Sequence, residues 1–143
     1  MTVYKNILVA VDGSQNADKA FSEAIDVATR NLATLFIVAI INEKELSTSS
    51  FAYSKVLKEE REKIEVDMLK KIQATDQAGV AEVKTIVEVG DPVAYITKEI
   101  PESFPIDLVI VGASGKGSIT REKIGTTTQA IIAKAPCSVM VIK

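Results

Sequence analysis

Leu108-Val109-Ile110-Val111-Gly112-Ala113-Ser114-Gly115-Lys116-Gly117-Ser118-Ile119-Thr120-Arg121-Glu122-Lys123-Ile124-Gly125-Thr126-Thr127-Thr128 is the stretch whose reading decides the fold. Its first four residues are apolar and three of them are β-branched, which predicts a strand buried on both faces. The glycines that follow let the backbone take positive φ and let a ligand approach without a Cβ in the way, so that successive N–H groups can converge on an anion. Gly125 and the three threonines then open an apolar helical segment. Its first turn brings unpaired N–H donors and the positive end of the helix dipole. Lys116, Arg121 and Lys123 add charge, and the hydroxyls of Thr126 and Thr127 add donors. A plain strand-to-helix turn with a capped helix accounts for the same residues.

Working outward, Ile7 to Val11 is a second uninterrupted apolar run, closed by Asp12-Gly13-Ser14. Behind it Ala17, Ala20, Phe21, Ala24, Ile25, Ala28 and Leu32 recur at helical spacing, with Ser14 or Asn16 as the cap. Leu35 to Ile41 predicts another buried strand, and the polar Ser47 to Ser50, with Phe51 and Tyr53 beside it, predicts a connection. From about Lys55 to Ala78 a charged helix is expected, with Leu57, Ile64, Met68 and Ile72 as its apolar stripe, Glu59–Lys63 and Asp67–Lys71 as ion pairs, and Gly79 as its C-cap. Glu82 to Val89 alternates, as an edge strand does. Gly90-Asp91-Pro92 starts a short helix that ends before Pro101, with Asp91 as N-cap. Asp107 to Val111 is the fourth strand, Thr127 to Lys134 a helix, and Ser138 to Ile142 the fifth strand. Five strands alternating with helices predict one α/β domain over residues 1–143, a doubly wound five-stranded parallel sheet with helices on both faces.

Composition narrows the function. Of 143 residues, 47% are apolar and 25% charged, as in ordinary globular chains. Seventeen basic against nineteen acidic side chains give a formal charge of −2, so no overall field attracts nucleic acid or an anionic membrane. The longest apolar run, Leu35 to Ile41, is far short of a membrane span, and Ile7 to Val11 is too short for a signal peptide. With a single cysteine, Cys137, read as a small buried thiol, a cytoplasmic location is expected. The chain contains no histidine, which excludes Ser-His-Asp, Cys-His and His-metal chemistry within one chain.

In a doubly wound sheet ligands sit beyond the carboxyl ends of central strands. Strands one and four, both wholly apolar, are the best candidates for central neighbours, so the Asp12 and Gly112 loops are expected to face each other. Four familiar signatures fail there. A Walker A loop finds Ile110 or Val111 where its first glycine belongs, and a dinucleotide fingerprint begun at Gly115 fails at Thr120. A nucleophile elbow begun at Gly112 ends on Lys116, and a receiver domain lacks its acidic pair because Asp12 stands alone. The Ser-Gly-Gly loop of adenylyl-transferring enzymes is absent after strand one.

The spacing Gly112-x2-Gly115-x9-Gly125-Thr126 does resemble a known pattern, the ATP-binding signature of the universal stress protein family. Asn6 to Ser14, Gly90-Asp91-Pro92 and Ala135 to Ile142 also look like family landmarks, so the resemblance spans the chain. It implies the strand order 3-2-1-4-5 and a homodimer. It implies an adenine nucleotide, ATP or else ADP or AMP, with Mg²⁺ accompanying it. Ala10, Val11 and Asp12 would meet the nucleoside, with Asp12 on a ribose hydroxyl, and Ile40 would lie against adenine. Gly112, Ala113, Gly115, Lys116, Gly117, Gly125, Thr126 and Thr127 would surround the phosphates; Thr127 stands where many relatives carry an apolar residue.

Chemistry beyond binding is not expected, since no base is evidently placed to orient a water on the γ-phosphate; slow ATP hydrolysis is the most this pattern allows. The reading is therefore an ATP-binding stress-response regulator. The alternative is a dimeric interaction module with a vestigial pocket, pairing through the flat apolar edge Val139-Met140-Val141-Ile142. Neither requires nucleic acid or a membrane.

Overall fold

A computed structural model describes residues 3–46, 50–114 and 124–143, without the side chains of Ser50 and Phe51. Five parallel strands form one sheet in the order β3-β2-β1-β4-β5. They are β1 (Asn6–Ala10), β2 (Thr34–Asn42), β3 (Glu82–Gly90), β4 (Leu108–Gly112) and β5 (Ser138–Ile142). β1 lies at the centre between β2 and β4, with Leu8 in register with Phe36 on one side and Val109 on the other.

Alternate residues of the central strands feed two cores. Ile7, Val9, Leu35, Ile37, Leu108 and Ile110 pack under α1 (Gln15–Asn31) and α2 (Ser50–Ala78). Leu8, Phe36, Val38, Val109 and Val111 pack with Ile96, Ile100 and Ile131 on the opposite face. Both faces being covered is why these strands read as continuous apolar runs rather than as alternation. β3, at the sheet edge, keeps Glu82, Lys84 and Glu88 exposed, which accounts for its alternating sequence.

The expected caps are in place. The Ser14 side chain accepts the Ala17 N–H at 3.1 Å, and Asp91 accepts the Val93 N–H at 3.1 Å, with Pro92 opening the helix behind it. Gly79, at φ +81°, ends α2 by donating to the Asp76 carbonyl. The end of α1 differs from expectation. Leu32 is not part of the buried stripe but its left-handed C-cap, 80% exposed, and Val27 fills the core position.

α2 departs from its predicted form twice. It begins at Ser50 rather than near Lys55, so Tyr53 lies in its first turns and not in a connection. Its buried face is Met68, Lys71 and Thr75, with Ile64 half-buried, whereas Ile72 is 39% exposed. Two polar residues hold core positions because their polar atoms are satisfied. The Lys71 ammonium lies 2.8 Å from Asp67 and 3.7 Å from Asp18, and 5.2 Å from the centre of the Phe21 ring. The Thr75 hydroxyl donates to the Ile72 carbonyl at 2.7 Å. The Asp67–Lys71 pair was expected; Lys63 pairs instead with Glu60, at 3.8 Å.

The helix after β3 does not stop before Pro101. It runs through α3 (Pro92–Ala94), a π-helical turn (Tyr95–Glu99) and α4 (Ile100–Ser103). In α-geometry the Pro101 ring would strike the carbonyl four residues back. The wider turn, in which the Ile100 N–H reaches back to the Tyr95 carbonyl, accommodates the proline inside the helix. The helix ends at Ser103, where Phe104 turns extended ahead of Pro105. α5 (Thr126–Lys134) then leads into β5.

Candidate functional site

Because β1 and β4 are hydrogen-bonded neighbours, the loops that leave their carboxyl ends are side by side. One contact joins them and two more brace the β4 side. The Asn16 side-chain amide donates to the Ser114 hydroxyl at 2.7 Å, joining the start of α1 to the loop after β4. The Thr128 hydroxyl, buried in the first turn of α5, donates to the Gly112 carbonyl at 2.8 Å. The Gly125 N–H donates to the Ala113 carbonyl at 2.7 Å.

Gly112 has a packing reason to be glycine. A Cβ there would lie 2.8 Å from the Asn16 carbonyl carbon and 2.9 Å from its Cβ, closer than real side chains approach. Without it, α1 rests directly on the end of β4. Gly125 is less crowded, with Ser114 Cα 3.4 Å from the equivalent point. It is the N-cap of α5 and has no side chain to accept from the first turn, so the N-terminal donors of that helix are not capped from within the residue that precedes it.

The space between these loops opens into a crevice of about 800 Å³. Its floor is made by Ala10, Val11 and Ile40 at the strand ends, with Asp12 on one side and Gly112, Gly125, Thr126 and Thr127 on the other. Asp12 is exposed and its Oδ1 accepts the Ser14 N–H at 2.9 Å, an Asx turn that fixes the loop. Turn former and crevice wall are thus the same residue. Gly13, at φ +84°, completes the turn.

Eight of the expected site residues therefore line one crevice, Ala10, Val11, Asp12, Ile40, Gly112, Gly125, Thr126 and Thr127, and Ala113 stands behind it. Ala113 is buried, its N–H donates to the Ile142 carbonyl at 2.7 Å and its carbonyl is taken by Gly125, so it braces the loop from behind. Gly115, Lys116 and Gly117, with Arg121 and Lys123, lie outside the described residues. The sequence reading missed Asn16, Ser114 and Thr128 as organising groups. From the sequence Asn16 reads as a helix cap, and nothing in its local pattern distinguishes that role from a contact 98 residues away. It also missed the outer wall, formed by Leu46 and by Val56, Glu60, Lys63, Ile64, Asp67 and Met68 of α2.

Among the described residues no cluster of three or more His, Cys, Asp or Glu is arranged to hold a metal ion. No helix among them is long and apolar enough to cross a membrane. Cys137 is half-buried; burial, and next the carboxylate of Asp107, raise its pKa above the ordinary thiol value, which keeps it protonated at neutral pH.

A sequence profile of the universal stress protein family matches residues 3–143. The chain belongs to the universal stress protein family. A protein of Staphylococcus haemolyticus, provisionally named a universal stress protein, is 40% identical over 144 residues, covering 100% of this chain and 87% of its own. The universal stress protein UspA of Lactobacillus plantarum superposes with a TM-score of 0.92 at 32% identity, over the whole of both chains. Two more distant members share the fold. A universal stress protein solved in complex with cAMP has 19% identity and a TM-score of 0.72, covering 99% of this chain and 98% of its own. One from Arabidopsis thaliana with AMP bound has 18% identity and a TM-score of 0.70, covering 97% and 91%.

Proposed function

We propose that this universal stress protein binds an adenine nucleotide, ATP in the first place, in the crevice between the loops after β1 and β4, and that its occupancy regulates a stress response in the cytoplasm. The observation that carries the reading is the meeting of Gly112 and Gly125-Thr126 with Asp12 across one crevice, at the switch point of the sheet. Distant relatives with AMP and cAMP bound support an adenine nucleotide as the class of ligand. The chain's own residues fit that class. Asp12 offers a carboxylate to a ribose hydroxyl, Ile40 an apolar surface to a base, and the first turn of α5 its N–H groups and dipole to phosphate. Mg²⁺ would arrive with the nucleotide and supply charge neutralisation of its phosphates.

The protein acts as a binder rather than an efficient enzyme in this reading, with slow ATP turnover as its upper limit. The test is an equilibrium titration of ATP with Mg²⁺, ADP, AMP and cAMP into the wild type and into Gly115→Val and Gly125→Val. ATP binding that both substitutions abolish supports the reading; affinity unchanged by both contradicts it.

A second reading rests on β5. Val139, Met140, Val141 and Ile142 are half-buried on a sheet edge that no charged residue interrupts before Lys143. Antiparallel pairing with a second copy would cover that edge and make a two-fold homodimer. A monomer in sedimentation at micromolar concentration contradicts it.

A further inference from the structure

The crevice is lined by more than the residues assigned to the nucleotide. At about 800 Å³ it lies toward the upper end of the roughly 300–1,000 Å³ typical of ligand pockets. Further lining comes from α2 and from Leu46. From Met68 onward that helix is docked, with Lys71 tied to Asp67 and Asp18 and seated over Phe21. Before Met68 the residues Val56, Glu60, Lys63, Ile64 and Asp67 of the same helix line the crevice, with Ile64 also resting against the core over the sheet. Val56, Ile64 and Met68 stand at intervals of eight and four residues along the helix, and Leu46, which follows the short 3-10 turn Glu43–Glu45 after β2, closes the space. The charges beside them carry both signs, with Lys63 3.8 Å from Glu60 and Lys71 2.8 Å from Asp67. An apolar wall with a rim of mixed charge, the three carboxylates of Glu45, Glu60 and Asp67 against Lys63, does not favour phosphate. It rewards burial of an uncharged apolar group.

The geometry points to a second compartment, bounded by Leu46, Val56, Ile64 and Met68 and continuous with the nucleotide seat, that takes an uncharged apolar group such as an aromatic ring. Met68, with its flexible thioether, lets the wall adapt to the shape of the occupant. The group reaches the compartment either as a substituent carried by the nucleotide or as a separate small apolar molecule beside it. The compartment does not depend on the nucleotide reading, since its walls are α2 and Leu46 rather than the glycine loop.

The probe is N-phenyl-1-naphthylamine, a neutral dye that fluoresces when buried, titrated into the whole protein without nucleotide. Saturable one-to-one binding is expected. Val56→Trp, which fills the compartment, and Val56→Asp, which charges its wall, each weaken it about tenfold, the scale expected when one apolar group is refused by a hydrophobic pocket. Leu69→Trp, on the exposed side of the same helix, leaves it unchanged. Circular dichroism confirms that each variant is folded. Absence of saturable binding, or equal weakening by Leu69→Trp and Val56→Trp, overturns the proposal. ATP affinity, measured separately on the wild type, keeps the two readings apart, because dye binding with no ATP binding removes the nucleotide reading alone. To distinguish the sources, ATP is compared with ATP carrying a benzyl group on the adenine amine. Tighter binding of the benzylated nucleotide, abolished by Val56→Trp, assigns the group to the nucleotide. Equal affinities with undiminished dye binding assign it to a separate molecule.

Discussion

The nucleoside end of the crevice is built from side chains, Asp12 and Ile40, set on the strand ends of β1 and β2, whereas the phosphate end is built from backbone at Gly112, Gly125 and the first turn of α5. Side-chain recognition is lost when atoms are removed. Backbone recognition is lost when atoms are added, because a Cβ takes the place the ligand or a neighbouring strand must occupy. The two glycines differ again between themselves: Gly112 is held by α1 packing, Gly125 only loosely by Ser114.

Substitution at Gly112 is expected to have the largest effect. Gly112→Val places its Cβ against the Asn16 backbone, so α1 or β4 must shift, at a cost of about 1–3 kcal/mol or more from overpacking. Chemical denaturation reads that loss, and nucleotide binding fails with it. Gly125→Val separates binding from folding. Its backbone, at φ −61°, suits any residue, so stability drops by only about 1 kcal/mol, the scale of an N-cap change, while ATP affinity falls by tenfold or more. A Gly125→Val protein that binds ATP normally would mean that the phosphate end lies elsewhere.

Asp12→Ala probes the other end. Losing a charged hydrogen bond to a ribose hydroxyl weakens ATP by about tenfold. Tripolyphosphate, which has no ribose, binds Asp12→Ala as it binds wild type but is weakened by Gly125→Val. Equal losses for ATP and tripolyphosphate in Asp12→Ala would show that the carboxylate acts only through its turn with Ser14. The smallest effect is predicted for Thr128→Val, which removes one hydroxyl donor from the Gly112 carbonyl and lowers stability by about 1 kcal/mol in denaturation.

The same contrast explains what the sequence discloses. β1, β2 and β4 are buried on both faces, so their composition marks them as inner strands, while the pairing of β1 with β4 that brings the two loops together comes from the strand order. Ser14, Asp91 and Gly79 are legible because their roles are local, each satisfied within three residues along the chain or by its own φ. Lys71 and Thr75 are not, since what permits their burial is a partner rather than a property: Asp67 and Asp18 for one, a backbone carbonyl for the other. The passage of the helix through Pro101 is hidden for a related reason. Proline's local rule is strong, and only the tertiary packing of Ile96 and Ile100 against the sheet sustains the π-helical turn that circumvents it. Asn16 and Ser114 meet only because the sheet order makes neighbours of β1 and β4.

The central claim, that the crevice is an adenine-nucleotide site, is tested most directly by denaturing freshly and mildly purified protein and identifying by chromatography what it releases. The account predicts an adenine nucleotide in a substantial fraction of molecules from the wild type and none from Gly125→Val. An empty wild-type protein that also fails to take up added ATP would contradict it.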